Sequence, residues 1–376
     1  MRWVRFVGVF LFAATAGAAE MADPSAEFFK MTGKVPVFQI TVEKVEADSL
    51  RKEPRKYVKC TVKVGDTTLK DVAIHLKGAA GSFRGFDDKP ALTVNVDHFN
   101  KGQKFQGMDK FHLNNSVQDP TYLNEWICGG MALDAGVPTA RAAHAVVELN
   151  GRKLGFYTIK EGYNKNFLRR NFGDDKGNLY DGGFLQDIDA PLKLDSGTDN
   201  GRKDLQALLK ACQEPNAEKR FAALDKVLDI DRMISNACMQ VICTDWDGYC
   251  RNRNNYRLYF DPKSGKATFI PHGMDQMFQN PGDALWPGWG GIAARALIET
   301  PEGKKRYIAR LKEMTAKNFK LDDLYKKIDA VVPRAKEAME AVQKGAGQNY
   351  ENEVKAYKDR LKQRSEFLAG EIPKLK

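Results

Sequence analysis

Histidine is scarce in this chain of 376 residues: there are five, at 75, 98, 112, 144 and 272. None stands in an HExxH or similar metal spacing, so each reads as a structural residue. The six cysteines, at 60, 128, 212, 238, 243 and 250, include no CxxC pair, which argues against a structural zinc site. Neither a GxSxG elbow nor a GxxxxGK[ST] loop occurs, removing the usual serine-hydrolase and P-loop chemistries. Beyond residue 19 no run of 18 uninterrupted apolar residues is present, so no transmembrane segment is expected in the mature chain. Internal repeats and low-complexity tracts are also missing.

What is present is a globular composition, 43% hydrophobic and 29% charged, long enough for one large domain or two ordinary ones. The formal charge of +10 is unevenly spread. Residues 302–376 carry 19 Lys and Arg against 12 Asp and Glu, and Arg2 and Arg5 stand at the N-terminus. The middle of the chain is nearly neutral, and the C-terminal lysines read as a solvated helix surface, so no nucleic-acid partner is expected. Residues 1–19 have the form of a signal peptide: Arg2 and Arg5, an apolar core over Val7–Ala16, and the small-residue site Ala16-Gly17-Ala18. Export to the periplasm, cell surface or medium is therefore expected. Disulfides are then permitted, though the spacing assigns no pairing. The oligomeric expectation is a monomer.

Residues 20–34 read as a flexible lead-in. Residues 35–162 read as a β-rich N-terminal lobe, with strand text at Val37–Val42, Lys59–Val64, Val72–Leu76 and Pro90–Val96. Asp119-Pro120 is expected to cap a helix that Gly136 and Pro138 end. Asn150-Gly151 predicts a hairpin between Ala143–Leu149 and Leu154–Lys160. Residues 163–376 read as a mostly helical lobe. Helices are expected over 165–172, 203–212 and 216–228, then one capped by Asp231 whose Met233/Ile234, Ala237/Cys238 and Val241/Ile242 pairs recur at helical spacing. A loop rich in Gly and Asp is expected up to about Arg202, a hairpin over 256–270, and charged helices beyond Pro301. The fold class is α+β with two lobes.

The chemistry concentrates between Thr244 and Phe278: TDWDGYCRNRNNYRLY, a hairpin, then FIPHGMDQMF. Phosphoryl transfer from ATP needs an Asp to orient or deprotonate the acceptor hydroxyl, and an Asn and a second Asp to hold Mg²⁺ against the phosphates. Asp247 and Asn252 have the protein-kinase spacing of four intervening residues, and the hairpin returns the chain to Asp275. Asn255 is a rival to Asn252 as second metal ligand. On the nucleotide side, Lys77–Gly85 is a Gly-rich connection between strands, where backbone N–H groups with Lys77 and Arg84 could meet phosphate oxygens. Lys89 is an alternative phosphate ligand. Glu125 could pair with the phosphate-binding lysine, and Glu161 lies where adenine would dock between two lobes. Asp195–Gly201 (DSGTDNG) lacks the alternating ligands and terminal Glu of a calcium loop.

The chain resembles the CotH kinase family of spore-coat protein H-like atypical kinases over roughly residues 36–370. The matching text includes Val72–Gly78, the long segment FHLNNSVQDPTYLNEWICGGMALDAGVPTARAAHAVVELNGRKLGFYTIKEGYNKNFL, GNLYDG at 177–182, DWDGYCRNRNNYRLY through GMDQMF, and YKDRLKQRSEFL at 357–368. The resemblance implies a divergent protein-kinase-like fold that transfers phosphate from ATP to Ser or Thr of a protein, with Asp247 as catalytic Asp and Asp275 as metal ligand. Where family members often carry Trp-Asp before the metal Asp, this chain has His272-Gly273-Met274. That departure keeps two alternatives open: a kinase-like surface or binding protein without catalysis, and a metal-dependent phosphoesterase.

Overall fold

Alternation of apolar and polar residues builds the first half. In β1 (Val37–Thr41) only Phe38 and Ile40 face inward, and β2 (Val58–Val64) buries Val58, Cys60 and Val62 by the same period of two. With β3 (Thr67–Lys77), β4 (Ala91–Asn95), β5 (Lys110–Asn114), β6 (Ala142–Leu149) and β7 (Arg152–Glu161) they close into a seven-stranded barrel of order β1-β2-β3-β4-β5-β7-β6. Every pairing is antiparallel except β1 with β6. Phe38, Phe105 and Phe111 pack with ring centroids 5.2–5.7 Å apart. The expected β-rich N-terminal lobe takes the form of a closed barrel. Closure removes the free strand edges that an open sheet would expose.

The computed structural model describes residues 23–376, so the expected leader over residues 1–19 lies outside the described residues. The lead-in departs from expectation over its described part. Residues Ala26–Phe29 form helix α1, Phe29 and Met31 are buried, and Asp23 pairs with Arg141 at 2.6 Å, so this segment is packed against the barrel. Helix α2 (Lys44–Lys52) interrupts what reads as strand text, burying Ala47 and Leu50 three residues apart. Helix α3 (Asn124–Asp134) starts four residues after the expected N1 position. Asp119 instead accepts from the Thr121 and Asn124 amides across a tight turn, at 3.0 and 2.9 Å.

The second half contains more than helices. After α4 (Lys165–Phe172), the loop expected to reach Arg202 contributes β8 (Asn178–Asp181) and β9 (Lys193–Ser196). These join β10 (Tyr256–Phe260) and β11 (Ala267–Pro271) in a four-stranded sheet of order β11-β10-β8-β9. Both added strands are four residues long, too short to establish a period. Helices α5 (Lys203–Cys212) and α6 (Ala217–Val227) lead to α7 (Ile230–Ile242), which buries all three expected apolar pairs. Its cap is Asp229, whose side chain accepts from Arg232 N, and Asp231 lies inside the first turn. A one-turn α8 (Tyr249–Asn252) and α9 (Ile292–Ile298) precede α10 (Pro301–Asn318), α11 (Leu321–Val342) and α12 (Ala346–Glu371). All six cysteines are buried free thiols. Among the described residues no helix is long and apolar enough to cross a membrane.

Candidate active site

The loop after α7 is built from inside the helix. Gln240, buried in the last turns of α7, accepts the Asp245 amide on its carbonyl (2.7 Å) and the Cys250 amide on its side chain (3.0 Å). Asp245, also buried, accepts the Asp247 amide at 3.2 Å. Tyr249 is fully buried, stacks on Phe269 with centroids 4.0 Å apart, and donates its hydroxyl to Asp187 at 2.9 Å. These contacts leave Asp247 half-buried, facing a cleft of about 770 Å³ between the barrel and the second sheet.

Three amides grip the Asp247 carboxylate. Asn252 donates to Oδ1 at 2.6 Å, while Asn254 and Asn255 donate to Oδ2 at 3.0 and 2.9 Å. An ionised carboxylate offers about four acceptor sites, so roughly one is left for a ligand in the cleft. Each asparagine uses its Nδ2 in this clamp and keeps its Oδ1 as an acceptor. The Oδ1 of Asn255 is directed at Gly273, where a Cβ would lie only 2.6 Å from it. Gly273 also has φ +64°, so both its backbone and its lack of a side chain are needed there. The Asn255 oxygen thus lies against the Gly273 backbone, and both rival metal ligands, Asn252 and Asn255, line the cleft.

Asp275 lines the same cleft, as do Lys77 and Glu125. Removal from water, and then the Glu125 carboxylate, push Asp275 up to about 7. Burial and the neighbouring Lys160 bring Lys77 down to about 8. Lys77 donates to Asn114 Oδ1 at 2.5 Å, and Asn114 reaches Glu125 at 3.5 Å. The direct partner of Glu125 is Lys160, at 2.6 Å, both side chains 4% exposed. Burial alone would lower Lys160, yet the Glu125 carboxylate holds it raised. Asp275 and Asn252 supply one carboxylate and one amide oxygen, a set that suits Mg²⁺, which takes few protein ligands and completes its shell with water and phosphate. Among the described residues no group of three or more His, Cys, Asp or Glu could hold a metal by itself.

The Gly-rich connection covers one end of the cleft. Gly78 and Gly81 have φ +104° and +81°, and a Cβ at Gly78 would meet the Phe83 backbone at 3.0 Å. Arg55 ties the turn down by donating to the carbonyls of Leu76 (2.8 Å) and Gly78. Two expected phosphate ligands lie elsewhere. Arg84 turns back on the Gly81 and Phe83 carbonyls and Asp88, and Lys89 donates to the Tyr122 hydroxyl at 2.9 Å; neither lines the cleft. Glu161 also points away, held by Arg141 at 3.1 Å and by Arg170. The structure thus gathers Asp247, Asn252, Asn255, Asp275, Lys77 and Glu125, and leaves out Arg84, Lys89 and Glu161. Lys160, Asn254 and Asp245 carry no role in the sequence reading. The available signals were a lone lysine closing the apolar strand run Phe156–Ile159, the third asparagine of the loop, and the Asp-Trp-Asp doublet.

A family model described as CotH kinase protein matches residues 74–368. The chain is 23% identical over 370 residues to the inner spore coat protein H of Bacillus subtilis (strain 168), covering 91% of this chain and 99% of that protein. Among solved structures, a HipA–HipB–operator DNA complex from Shewanella oneidensis MR-1 aligns with 92% of this chain and 74% of its own, at 12% identity and TM-score 0.35. The Helicobacter pylori proinflammatory kinase CtkA aligns with 71% of this chain and 95% of its own, at 8% identity and TM-score 0.29.

Proposed function

We propose that this chain, which belongs to the CotH kinase family, is an exported, Mg²⁺-dependent kinase that transfers the γ-phosphoryl group of ATP to Ser or Thr of a protein. The observation that carries the reading is the Asp247 carboxylate, fixed by three asparagine amides and facing Asp275 and Lys77 across one cleft. In phosphoryl transfer the protein supplies positioning and electrostatics. Asp247 orients the acceptor hydroxyl through its remaining lone pair. Lys77 and the backbone of the Gly78–Gly81 turn meet phosphate oxygens. Asp275 and Asn252 would hold Mg²⁺, which neutralises charge on the phosphates when bound. The new O–P bond forms at the acceptor oxygen, the bond from phosphorus to the β,γ-bridging oxygen breaks, ADP leaves, and the hydroxyl proton passes to Asp247. Lys160 keeps Glu125 neutralised behind this constellation, so the phosphates do not face an unpaired carboxylate. In this reading the divergent two-lobed kinase plan is carried by the barrel and the helical half, with the cleft between them.

Support for export comes from the leader text of residues 1–19 and from the name of the spore-coat relative. Incubation of the purified chain with Mg²⁺, labelled ATP and candidate acceptor proteins tests the kinase reading. Label should pass to Ser or Thr, and Asp247→Asn and Asp275→Ala should each lower transfer by about 100-fold or more. Free phosphate without a labelled acceptor would favour a phosphoesterase instead.

A second reading, a kinase-like binding protein without catalysis, is favoured by the single carboxylate in Pro271-His272-Gly273-Met274-Asp275. A thermal-shift titration separates the two. The kinase should gain stability with Mg²⁺–ATP, and the inactive fold should not.

A further inference from the structure

Nine large apolar side chains are exposed among the described residues, and three of them, Phe184, Leu185 and Trp246, line the one cleft that holds Asp247. Phe184 is 58% exposed, Trp246 44% and Leu185 41%. Scattered exposed apolar groups need no explanation, but a cluster at the mouth of a polar cleft does. Two more exposed apolar residues, Phe83 and Val117, do not line the cleft themselves but are chain neighbours of Ser82, Ser116 and Gln118, which do.

The loop that presents Phe184 and Leu185 is held in place. Asp181 accepts the Gly183 amide at 3.1 Å, and the Tyr256 hydroxyl donates to the Gln186 carbonyl at 3.2 Å. Asp187 then locks the chain through Tyr249 and the Ile292 amide, at 2.9 and 2.8 Å. Within this frame Leu185 has φ +54°, a left-handed conformation that branched side chains avoid. The loop thus holds an apolar side chain in water against its own backbone preference, an arrangement that clusters at functional sites.

We infer that the cleft mouth is a docking surface for an extended protein segment carrying a large apolar side chain next to its acceptor hydroxyl. The inference rests on the kinase reading above and adds the class of acceptor. Continuity with the catalytic group argues for this occupant. A hydroxyl within about 3 Å of Asp247 brings its chain neighbours, spaced about 3.3 Å per residue, over the wall formed by Trp246, Phe184 and Leu185. The polar interior, with Lys77, Glu125 and Asp275, suits the nucleotide phosphates and offers an apolar side chain nothing. The rim offers a flanking Leu or Phe a surface to cover, and a flanking polar residue would lose hydration there.

The test uses the full chain and two Ser peptides that differ only in the residue after the serine, Phe in one and Asn in the other. Binding is read by fluorescence anisotropy and phosphate transfer with Mg²⁺ and labelled ATP. The wild type should prefer the Phe peptide by about 10-fold or more. Phe184→Ser and Leu185→Gly should each erase that preference while melting at the wild-type temperature; glycine accepts the positive φ. Equal handling of both peptides, with label on each, overturns the docking surface and leaves the kinase reading intact. Phe-dependent binding that Phe184→Ser removes, without any transfer, keeps the docking surface and sinks the kinase reading. Absence of both binding and transfer overturns both. Binding to neutral phosphatidylcholine vesicles, lost in Phe184→Ser and with no peptide preference, assigns the rim to lipid and also overturns the inference.

Discussion

Asp245 and Asp247 are two residues apart and differ in everything but chemistry. Asp247 is half-buried and held by three amides, whereas Asp245 is 3% exposed and its carboxylate accepts the Asp247 backbone amide. Burial, and then the Asp247 charge, raise Asp245 to about 7. Its ordinary value is 3.8, so between 3.8 and about 7 the folded state holds a proton that the unfolded state has released. Stability from this group is therefore fully present below the unfolded pKa and is lost as pH rises from there through the folded one. Asp245→Asn, which keeps the acceptor oxygen and removes the titration, should flatten the fall in urea midpoint between about pH 4 and 7. An unchanged slope in that variant would show that Asp245 does not titrate there. At this scale the sequence pointed to Asp247 and Asp275, because loop carboxylates at kinase spacing are written in order along the chain. It could not distinguish Lys77 from Arg84 and Lys89, since all three flank the same glycines and only the turn's geometry decides which ammonium or guanidinium enters the cleft.

Helix α12 shows how an element far along the chain governs the Asp247 loop. Its buried residues Tyr350, Val354, Tyr357, Leu361, Arg364 and Leu368 recur at spacings of three and four, one face of a helix. Arg364 is the polar member and is fully buried. It donates to the carbonyls of Val241 (2.6 Å), Ile242 (3.2 Å), Pro281 (2.9 Å) and Asp283 (2.6 Å). The first two belong to the last turn of α7, where Val241 also accepts the Thr244 amide at 3.2 Å, so Arg364 helps to cap the helix from which the Asp247 loop springs. Burial lowers its pKa to about 10, a value at which the guanidinium still stays charged at neutral pH. Arg364→Met should cost about 3 kcal/mol or more, because four buried carbonyls lose a charged donor. Denaturant unfolding measures the cost, and a loss under 1 kcal/mol would mean water replaces the guanidinium. The sequence marked this helix by its apolar period and by the resemblance over residues 357–368, but not Arg364 itself, which reads as a surface arginine on a basic helix.

At the scale of the whole molecule, Lys160 of β7 and Glu125 of α3 form a buried pair that joins a barrel strand to a helix beside the cleft. Breaking such a pair leaves an uncompensated charge, whereas replacing both partners with apolar groups can be nearly neutral. Lys160→Met alone should therefore destabilise by about 3–5 kcal/mol, and adding Glu125→Leu should restore most of it. Additive losses in the double variant would count against the pair as a unit. The same pair explains why Glu125 does not reach the lysine nearest the glycine turn: Lys160 is closer, and Asn114 bridges the remaining gap to Lys77. The +10 charge plays little part here, for the basic excess lies on the C-terminal helices and at Arg2 and Arg5.

Local chemistry was enough to determine the elements whose instructions are contiguous: the strands at residues 37–95, the Asn150-Gly151 hairpin, the apolar stripe of α7 and the order of Asp247, Asn252 and Asp275. Each rests on period, turn residues or spacing, which are properties of neighbours in the chain. Only the tertiary structure decided that the strands close into a barrel, that β8 and β9 exist, and that Lys160 rather than Lys77 takes Glu125. Those outcomes depend on which groups, tens of residues apart, compete for one partner as water is excluded, and that competition leaves no trace in spacing.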